Sequence, residues 1–231
     1  MSKKGKEPEG KSFESIEETL SKSEIFIQKN QKILTNIVLG ILVVVAVYMA
    51  WKKYYYKPHA MEAQSQMFMA INYFEKDSFN LALNGDGNYL GFYDIIDEYS
   101  STPAGNLAKY YAGIANLHVG NYEESLDQLK SFSSDDLMVS SMAMGAIGDV
   151  YAEMGDNENA ISYYRQAAES HPNDFTTPIF LFKTGLLCEI TGDYDGALEA
   201  FESIQKDYPK SNESRDMKKY ITRVKLQMEQ Q

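Results

Sequence analysis

The longest apolar stretch of the chain runs from Ile33 to Trp51 and contains no charged residue. As an α-helix these nineteen residues would be about 28 Å long, which matches the ~30 Å hydrocarbon core of a bilayer. Aromatic and lysine side chains, which favour the membrane–water interface, follow directly. These are Tyr48, Trp51, Lys52, Lys53, Tyr54, Tyr55, Tyr56 and Lys57. The pattern predicts a single transmembrane anchor at residues 33–51.

Two other interpretations of this stretch are a buried helix of a soluble protein and a cleaved signal peptide. The length, the missing charges and the flanking lysines oppose a buried helix. A 32-residue tail precedes the stretch, and no A-x-A cleavage site follows before Lys52, which opposes a signal peptide. We therefore interpret it as an uncleaved signal anchor.

The segment before the anchor divides into two parts. Residues 1–11 are polar, and we expect a disordered tail. Residues 12–32 predict an amphipathic helix on the cytoplasmic side. Its apolar face comprises Phe13, Ile16, Leu20 and Ile27. This helix would lie on the membrane surface, bind a partner or simply lead into the anchor, and the pattern does not choose among the three.

Beyond residue 102 the chain repeats itself, in register with Ser125, Ala160 and Ala197. A glycine stands twelve residues before each of these, another stands five before, and a large residue stands four after. The three sets are Gly113, Gly148, Gly185; Gly120, Gly155, Gly192; and Leu129, Tyr164, Phe201. Spacings of 35 and 37 residues, and the copies GNYEESLDQL, GDNENAISYY and GDYDGALEAF, are typical of the 34-residue tetratricopeptide repeat.

The predicted fold is all-α: one N-terminal transmembrane helix followed by a tetratricopeptide-repeat α-solenoid. Small residues let the two helices of a repeat, A and B, approach closely, and the second set of glycines ends helix A. Thr102 and Pro103 start a helix. We place the repeat domain at 58–231. It comprises a degenerate helix pair at 60–102, repeats at about 106–139, 141–174 and 178–211, and a capping helix at 212–229.

Charge and composition exclude several functions. Residues 58–231 carry 12 Lys and Arg against 27 Asp and Glu, a net charge of −15 that phosphate backbones and anionic lipid would repel. The chain has a single cysteine, Cys188, and its three histidines have no metal-ligand spacing. No nucleophile, Walker or zinc-protease motif is present. We predict a protein that is not an enzyme, binds no nucleic acid and needs no cofactor or metal.

What remains is a binding surface on the concave side, where helix A of each repeat lies. Its predicted inward residues are Leu107, Tyr110, Ile114 and Leu117; Met142, Gly145, Asp149 and Ala152; and Ile179, Phe182, Leu186 and Glu189. A largely apolar groove with a few acidic points suits an extended or helical apolar peptide with basic flanks. Alternatively, several of these residues pack against the first helix pair or the terminal helix, and the sequence leaves both open.

Lysine positions bear on the orientation of the anchor. Three lysines lie close before it and three close after it, so the local count is even. The whole tail carries seven lysines, and long domains cross a membrane largely regardless of charge. This favours a cytoplasmic tail and a repeat domain on the other side.

The chain has, in order, a tail, an anchor, an aromatic-rich segment where the chain leaves the membrane (the aromatic exit) and repeats. This order resembles the ancillary SecYEG translocon subunit family (YfgM-like). The similar stretches are Phe26–Asn30, Tyr48–Tyr56 and YYAGIANLHVGNYEESLDQL at 110–129. The resemblance implies a single-pass inner-membrane protein with a periplasmic repeat domain beside the Sec translocon. Its partners would be Sec translocon subunits, a membrane-anchored prolyl isomerase-like chaperone and exported client chains.

Two features depart from that family, namely the 32-residue tail and the third repeat, which is predicted to start at Pro178. These departures leave the precise partner open. Two other functions also stay open. One is a cytoplasm-facing repeat adaptor that regulates an envelope enzyme. The other is a periplasmic adaptor for cell division or outer-membrane assembly.

Overall fold

The computed structural model describes the backbone of residues 10–230 and the side chains of residues 24–230. The predicted tail falls mostly outside this range, and so do the side chains of Phe13, Ile16 and Leu20. The chain divides into two compact units, one up to Pro58 and one from His59 onward. Every regular element within the described range is helical, which confirms the all-α prediction.

The first unit is dominated by helix α1, Gly10–Trp51, which is continuous from the predicted amphipathic segment through the predicted anchor. One helical stretch among the described residues, Glu24–Glu75, is long and apolar enough to cross a membrane by length and composition. Near the end of α1, Trp51 stacks with Tyr55 at 6.4 Å between ring centroids and lies 5.7 Å from Tyr56. The predicted aromatic exit is thus a cluster of rings around Trp51.

A π-helical turn, Lys52–Tyr56, follows α1. The backbone N–H of Lys57 donates to the carbonyl of Lys52, five residues earlier. Pro58 has no N–H to donate, so the regular α-helical ladder cannot continue through it unchanged. The irregularity expected at this proline therefore takes the form of a wider helical turn just before it.

Three helices, rather than the pair expected at 60–102, form the start of the second unit, and the first of them begins two residues before His59. They are α2 (Lys57–Glu75), α3 (Phe79–Asn84) and α4 (Phe92–Glu98). The additional short helix ends at Gly85, whose φ of +75° suits glycine. Asp86 then holds the loop, because its carboxylate accepts hydrogen bonds from the backbone of Asn88 and Tyr89 at 2.9 and 2.8 Å.

Three helix pairs and a terminal helix complete the unit. The pairs are α5 (Pro103–Val119) with α6 (Tyr122–Ser131), α7 (Leu137–Glu153) with α8 (Asn157–Glu169), and α9 (Thr176–Thr191) with α10 (Tyr194–Asp207). A 3₁₀ turn, Glu213–Asp216, precedes α11 (Met217–Met228). Each pair has the helix–turn–helix form that the repeat pattern predicts.

Local signals explain where these helices begin and end. Thr102 Oγ1 accepts from the N–H of Gly105 at 3.1 Å and Pro103 opens α5, as predicted. Asp136, Asp156 and Asp193 cap α7, α8 and α10 in the same way. The predicted helix-ending glycines have left-handed φ values of 82°, 77° and 83°. They are Gly120, Gly155 and Gly192.

The paired helices meet at glycines. A Cβ atom added to Gly113, Gly148 or Gly185 would collide with a large side chain of helix B in the same repeat. The colliding residues are the predicted space-filling ones: Leu129, Tyr164 and Phe201, each at most 5% exposed. In the first repeat, Ser125 Oγ also donates to the carbonyl of Gly113 at 2.6 Å. The sixteen-residue spacing between each of these glycines and its large residue in the sequence is therefore a packing contact.

Candidate protein-binding surface

Helix A of each repeat presents one exposed apolar residue at the same register position, six residues before the packing glycine. These are Leu107, Met142 and Ile179, which are 37, 46 and 40% exposed. Helices α5, α7 and α9 lie in contact in chain order, so the three side chains form a row across neighbouring helices. All three belong to the predicted groove.

Two further exposed apolar residues stand four residues before two of these. Met138 is 42% exposed near the start of α7, and Phe175 is 72% exposed just before α9. Sequence reasoning missed them, although a signal exists: each lies ten residues before its packing glycine. We call the combined row the apolar ladder: Leu107, Met138, Met142, Phe175 and Ile179.

Acidic residues lie next to the ladder in the chain. Asp135 and Asp136 precede α7, and Asp174 precedes Phe175; all three are exposed. Asp136 also accepts backbone hydrogen bonds from Met138 and Val139, which holds its carboxylate at the start of α7. The ladder is therefore an apolar surface with negative charge at the helix starts.

The predicted inward residues of the first repeat lie deeper. Tyr110, Ile114 and Leu117 are half-buried and pack on a core cluster shared between the first two repeats. That cluster comprises Leu126, Leu129, Ala146, Ile147 and Val150. Burial raises the pKa of the Tyr110 hydroxyl. These residues form an inter-repeat contact as well as a surface.

Gly145 is buried, and the ring of Phe180 occupies the space where a side chain would stand. Because Phe180 belongs to α9, this close contact joins the second and third repeats. The predicted inward position at residue 145 is thus filled by the next repeat and offers no surface to a ligand.

Both predicted acidic points already have cationic partners. The Nζ of Lys183 lies 2.6 and 2.8 Å from the two carboxylate oxygens of Asp149, which also accepts from the hydroxyl of Tyr164 at 2.6 Å. Glu189 pairs with Arg223 of α11 at 2.5 Å. Burial, followed by the hydrogen bond to Asp149, raises the pKa of Tyr164 above its ordinary value. Neither carboxylate offers an unpaired charge to a basic ligand.

The terminal helix covers part of the third repeat. The rings of Phe182 and Tyr220 meet edge to face with centroids 5.1 Å apart, and Leu186 packs on the core cluster that contains Ile221 and Val224. The alternative of packing against the terminal helix therefore holds for Phe182, Leu186 and Glu189.

An open cavity of about 570 Å³ brings three other predicted positions together. Leu117, Asp149 and Ala152 line it, with Glu153 and Tyr164. Among the described residues, no group of three or more His, Cys, Asp or Glu side chains has the arrangement to hold a metal ion.

Comparison with known proteins supports the repeat assignment. The tetratricopeptide repeat family profile matches residues 146–212, which span most of the second and third repeats. The chain therefore carries tetratricopeptide repeats in this region. No curated protein sequence matches the chain significantly.

Solved structures show the same architecture. Two crystal structures of a Podosopora anserina protein described as a kinesin light chain with nearly identical TPR-like repeats align with TM-scores of 0.56 and 0.54. Each is 14% identical; the alignments cover 75 and 74% of this chain and 89 and 88% of those chains. MamA aligns at a TM-score of 0.40 with 20% identity over 60% of this chain and 90% of its own. The first two similarities show a TPR-like solenoid fold.

Proposed function

We propose that this chain is a membrane-anchored, non-catalytic module that binds an apolar segment of another protein along the apolar ladder. Tetratricopeptide repeats indicate a protein–protein interaction scaffold. The observation that carries the proposal is the row of Leu107, Met142 and Ile179, exposed at one register position in three consecutive repeats. An apolar residue left exposed three times in register indicates a contact surface better than scattered exposure does.

The charge of the domain narrows the partner. Because residues 58–231 carry a net charge of −15, acidic segments are disfavoured and basic ones are attracted. Asp135 and Asp174 place part of this charge beside the ladder in the chain. The favoured occupant is an extended or helical segment with apolar residues and basic flanks.

At a finer level, we propose a translocon-associated scaffold or chaperone that assists chains emerging from the Sec channel. The long apolar helix of Glu24–Glu75 supports membrane anchoring, and the seven lysines of the tail favour a cytoplasmic N-terminus. A domain on the periplasmic side of the inner membrane would then meet exported chains before they fold, while they are extended and their apolar side chains are exposed. Sec translocon subunits and a membrane-anchored prolyl isomerase-like chaperone are the partners that the resemblance implies.

A second candidate is a cytoplasm-facing adaptor that regulates an envelope protein. The number of lysines close to the anchor is equal on its two sides, which leaves this candidate open. The two candidates differ in the side on which the repeats lie, so topology separates them.

The test uses the full-length chain in native membranes with a photo-crosslinking amino acid at Met142. A matched control carries the same amino acid at Gln166, which is exposed on α8. We expect translocon subunits or nascent exported chains to crosslink at residue 142 and not at 166. Equal crosslinking at both positions, or none at 142, contradicts ladder binding.

Topology is measured by introducing a cysteine in place of the exposed Glu123 and labelling intact cells with a membrane-impermeant maleimide. The native Cys188 gives little background, since it is fully buried and burial raises its pKa to about 11. Labelling in intact cells supports the translocon candidate. Labelling only after lysis supports the cytoplasmic adaptor.

A further inference from the structure

The apolar ladder differs in its chemistry from one repeat to the next. In the first repeat it consists of Leu107, and in the third of Phe175 and Ile179, and all three side chains are hydrocarbon. In the second repeat both ladder residues are methionines, Met138 and Met142. A methionine carries a thioether sulfur, which oxidants convert to a sulfoxide. The middle of the ladder is therefore its chemically sensitive part.

Both ladder methionines are accessible to small molecules in solution. Met138 is 42% exposed and Met142 is 46% exposed, whereas Met67 and Met217, which belong to core clusters of the repeat domain, are 3% and 0% exposed. An oxidant must reach the sulfur atom in order to react with it. We therefore expect Met138 and Met142 to react well before the buried methionines.

The two methionines act at one place on the surface. They lie four residues apart on α7, and side chains at this spacing are neighbours on one helix face, with Cβ atoms about 5–6 Å apart. Within the described structure, Met138 and Met142 are not among the residues that form the core clusters. A change confined to these two side chains therefore alters the surface and leaves the packing of the repeats intact.

Oxidation by hydrogen peroxide turns this apolar surface into a polar one. The thioether sulfur attacks one oxygen of the peroxide, so that an S–O bond forms as the O–O bond breaks. The hydroxide that leaves takes the proton of the newly bound oxygen, which gives methionine sulfoxide and water. The sulfur is oxidised by two electrons and the peroxide is reduced by two. Burying the sulfoxide oxygen against an apolar segment, without a hydrogen-bond donor, is unfavourable.

We propose that Met138 and Met142 form an oxidation-sensitive switch in the apolar ladder, which binds the partner segment when they are thioethers and releases it when they are sulfoxides. The switch rests on the proposed function, since it regulates the same surface. Oxidation leaves Leu107 separated from Phe175 and Ile179 by a polar middle, so a segment that spans three repeats loses its continuous contact. Methionine sulfoxide reductases reverse the reaction, with one enzyme for each sulfoxide epimer, and therefore restore binding.

The first measurement locates the oxidation. Native membranes that contain the full-length protein are treated with dilute hydrogen peroxide, and sulfoxides are identified by peptide mass spectrometry. We expect sulfoxide at Met138 and Met142 while Met67 and Met217 remain thioethers. Absence of sulfoxide at both ladder methionines, under conditions that oxidise the 72% exposed Met61, overturns the proposal.

The second measurement follows binding in the same membranes. The photo-crosslinking amino acid p-benzoylphenylalanine replaces Phe175, a ladder residue without sulfur, and the membranes are irradiated before and after oxidation. Crosslinking to the partner should fall about fivefold or more on oxidation and return after treatment with both sulfoxide reductases. Absence of crosslinking before oxidation contradicts the proposed function, and the switch with it. Crosslinking that persists after both methionines are oxidised overturns the switch alone.

Variants separate the ladder methionines from other oxidised groups. The double variant Met138→Leu/Met142→Leu keeps apolar side chains of similar volume that cannot form sulfoxides, so its crosslinking at residue 175 should not respond to peroxide. Met154→Leu is the matched control, because Met154 is 44% exposed at the end of α7 but lies outside the ladder. It should lose crosslinking as the wild type does. A loss in the double variant equal to that of the wild type would place the sensitive group elsewhere and overturn the proposal.

A measurement without partner distinguishes release from unfolding. Circular dichroism of the full-length, detergent-solubilised protein gives its helical content and melting temperature before and after oxidation. Both should stay the same, because Met138 and Met142 lie outside the core clusters. A melting temperature that falls clearly in the wild type, and not in the double-leucine variant, would mean that oxidation unfolds the repeats, and a switch acting at the surface would be wrong.

Discussion

The start of the repeat domain and the three repeats that follow are packed by different means. Around α2–α4 one core cluster, which extends to α5, combines buried aliphatic and aromatic side chains. Within it Phe74 meets Phe79, Phe92 and Tyr111 edge to face at 5.5, 6.3 and 5.2 Å. In α5–α10 the same kind of contact, a glycine under a large side chain, recurs in each repeat. The packing of the first region comes from one irregular cluster, and the packing of the second comes from one kind of contact that occurs three times.

This difference has a consequence for stability. In a solenoid each repeat contacts mainly its neighbours, so damage at one end need not spread to the other. The irregular cluster lies at one end of the repeat domain, and the repeated contacts continue to the other. The two regions should therefore respond differently to substitutions of similar size.

The largest effect is expected from Phe92→Ala. Phe92 is fully buried, and removing its ring should cost about 3–5 kcal/mol of local stability. Hydrogen exchange on the full-length protein should show lost protection in α2–α4, with α7–α10 still protected. Tyr89→Ala, at a 47% exposed position, is the control and should change little. Equal loss of protection in every helix would show that the two regions fold as one unit.

A smaller effect is expected from Gly145→Ala, which acts on a contact between repeats. The added methyl group meets the ring of Phe180, which is 6% exposed, and overpacking of this kind costs about 1–3 kcal/mol. Urea unfolding measures the loss. The double variant with Phe180→Leu should cost less than the sum of the two single changes, since the ring that collides is gone. If the cost of the double variant equals the sum of the two single costs, the added methyl group collides with something other than the ring of Phe180.

These two regions also show what the sequence can predict. The repeats were predictable because packing repeats the same residue types at fixed spacing, as with Gly185 and Phe201. The first region was predicted as a helix pair, and the short α3 was missed. The loop after α3 is held by the Asp86 carboxylate, which accepts hydrogen bonds from two backbone N–H groups. Because this contact occurs once and does not repeat along the chain, it leaves no periodic signal in the sequence.

For the candidate surface, register identified which residues share a face but did not show what covers them. Leu107, Met142 and Ile179 remain exposed, while Phe182 and Glu189 lie against α11. The pairing of Asp149 with Lys183 joins residues 34 apart, a distance that follows from stacking one repeat on the next. Partners contributed by neighbouring helices cannot be read from one repeat alone.

The hydrogen bond from Tyr164 to Asp149 predicts a dependence on pH. Tyr164→Phe should cost about 1.5 kcal/mol at neutral pH, as expected for losing a hydrogen bond to a charged group. Because burial and Asp149 raise the pKa of Tyr164 in the folded state, the stability that this hydroxyl contributes is complete below about pH 10, the ordinary tyrosine pKa. It decreases as the pH rises above 10, where the unfolded chain ionises first.

Urea unfolding of both proteins at pH 7, 9 and 10.5 measures this dependence. The difference in the free energy of unfolding between wild type and Tyr164→Phe should be constant from pH 7 to 9 and smaller at 10.5. Tyr110, whose pKa is also raised, is present in both proteins and cancels in the comparison. A difference that grows above pH 10 would mean that the hydroxyl is not held as the structure has it.

The smallest expected effect on stability concerns the residues that cap the N-termini of helices in the two regions. Asp156 caps α8, with its carboxylate accepting from the N–H of Asn159 at 3.2 Å, whereas Ser78, at the start of α3, makes no such bond. Asp156→Ala should therefore cost about 1 kcal/mol and Ser78→Ala close to nothing, as measured by urea unfolding of the full-length protein. Similar costs at both positions would mean that Ser78 also caps its helix in solution, and the first region would then share the local signals that define the repeats.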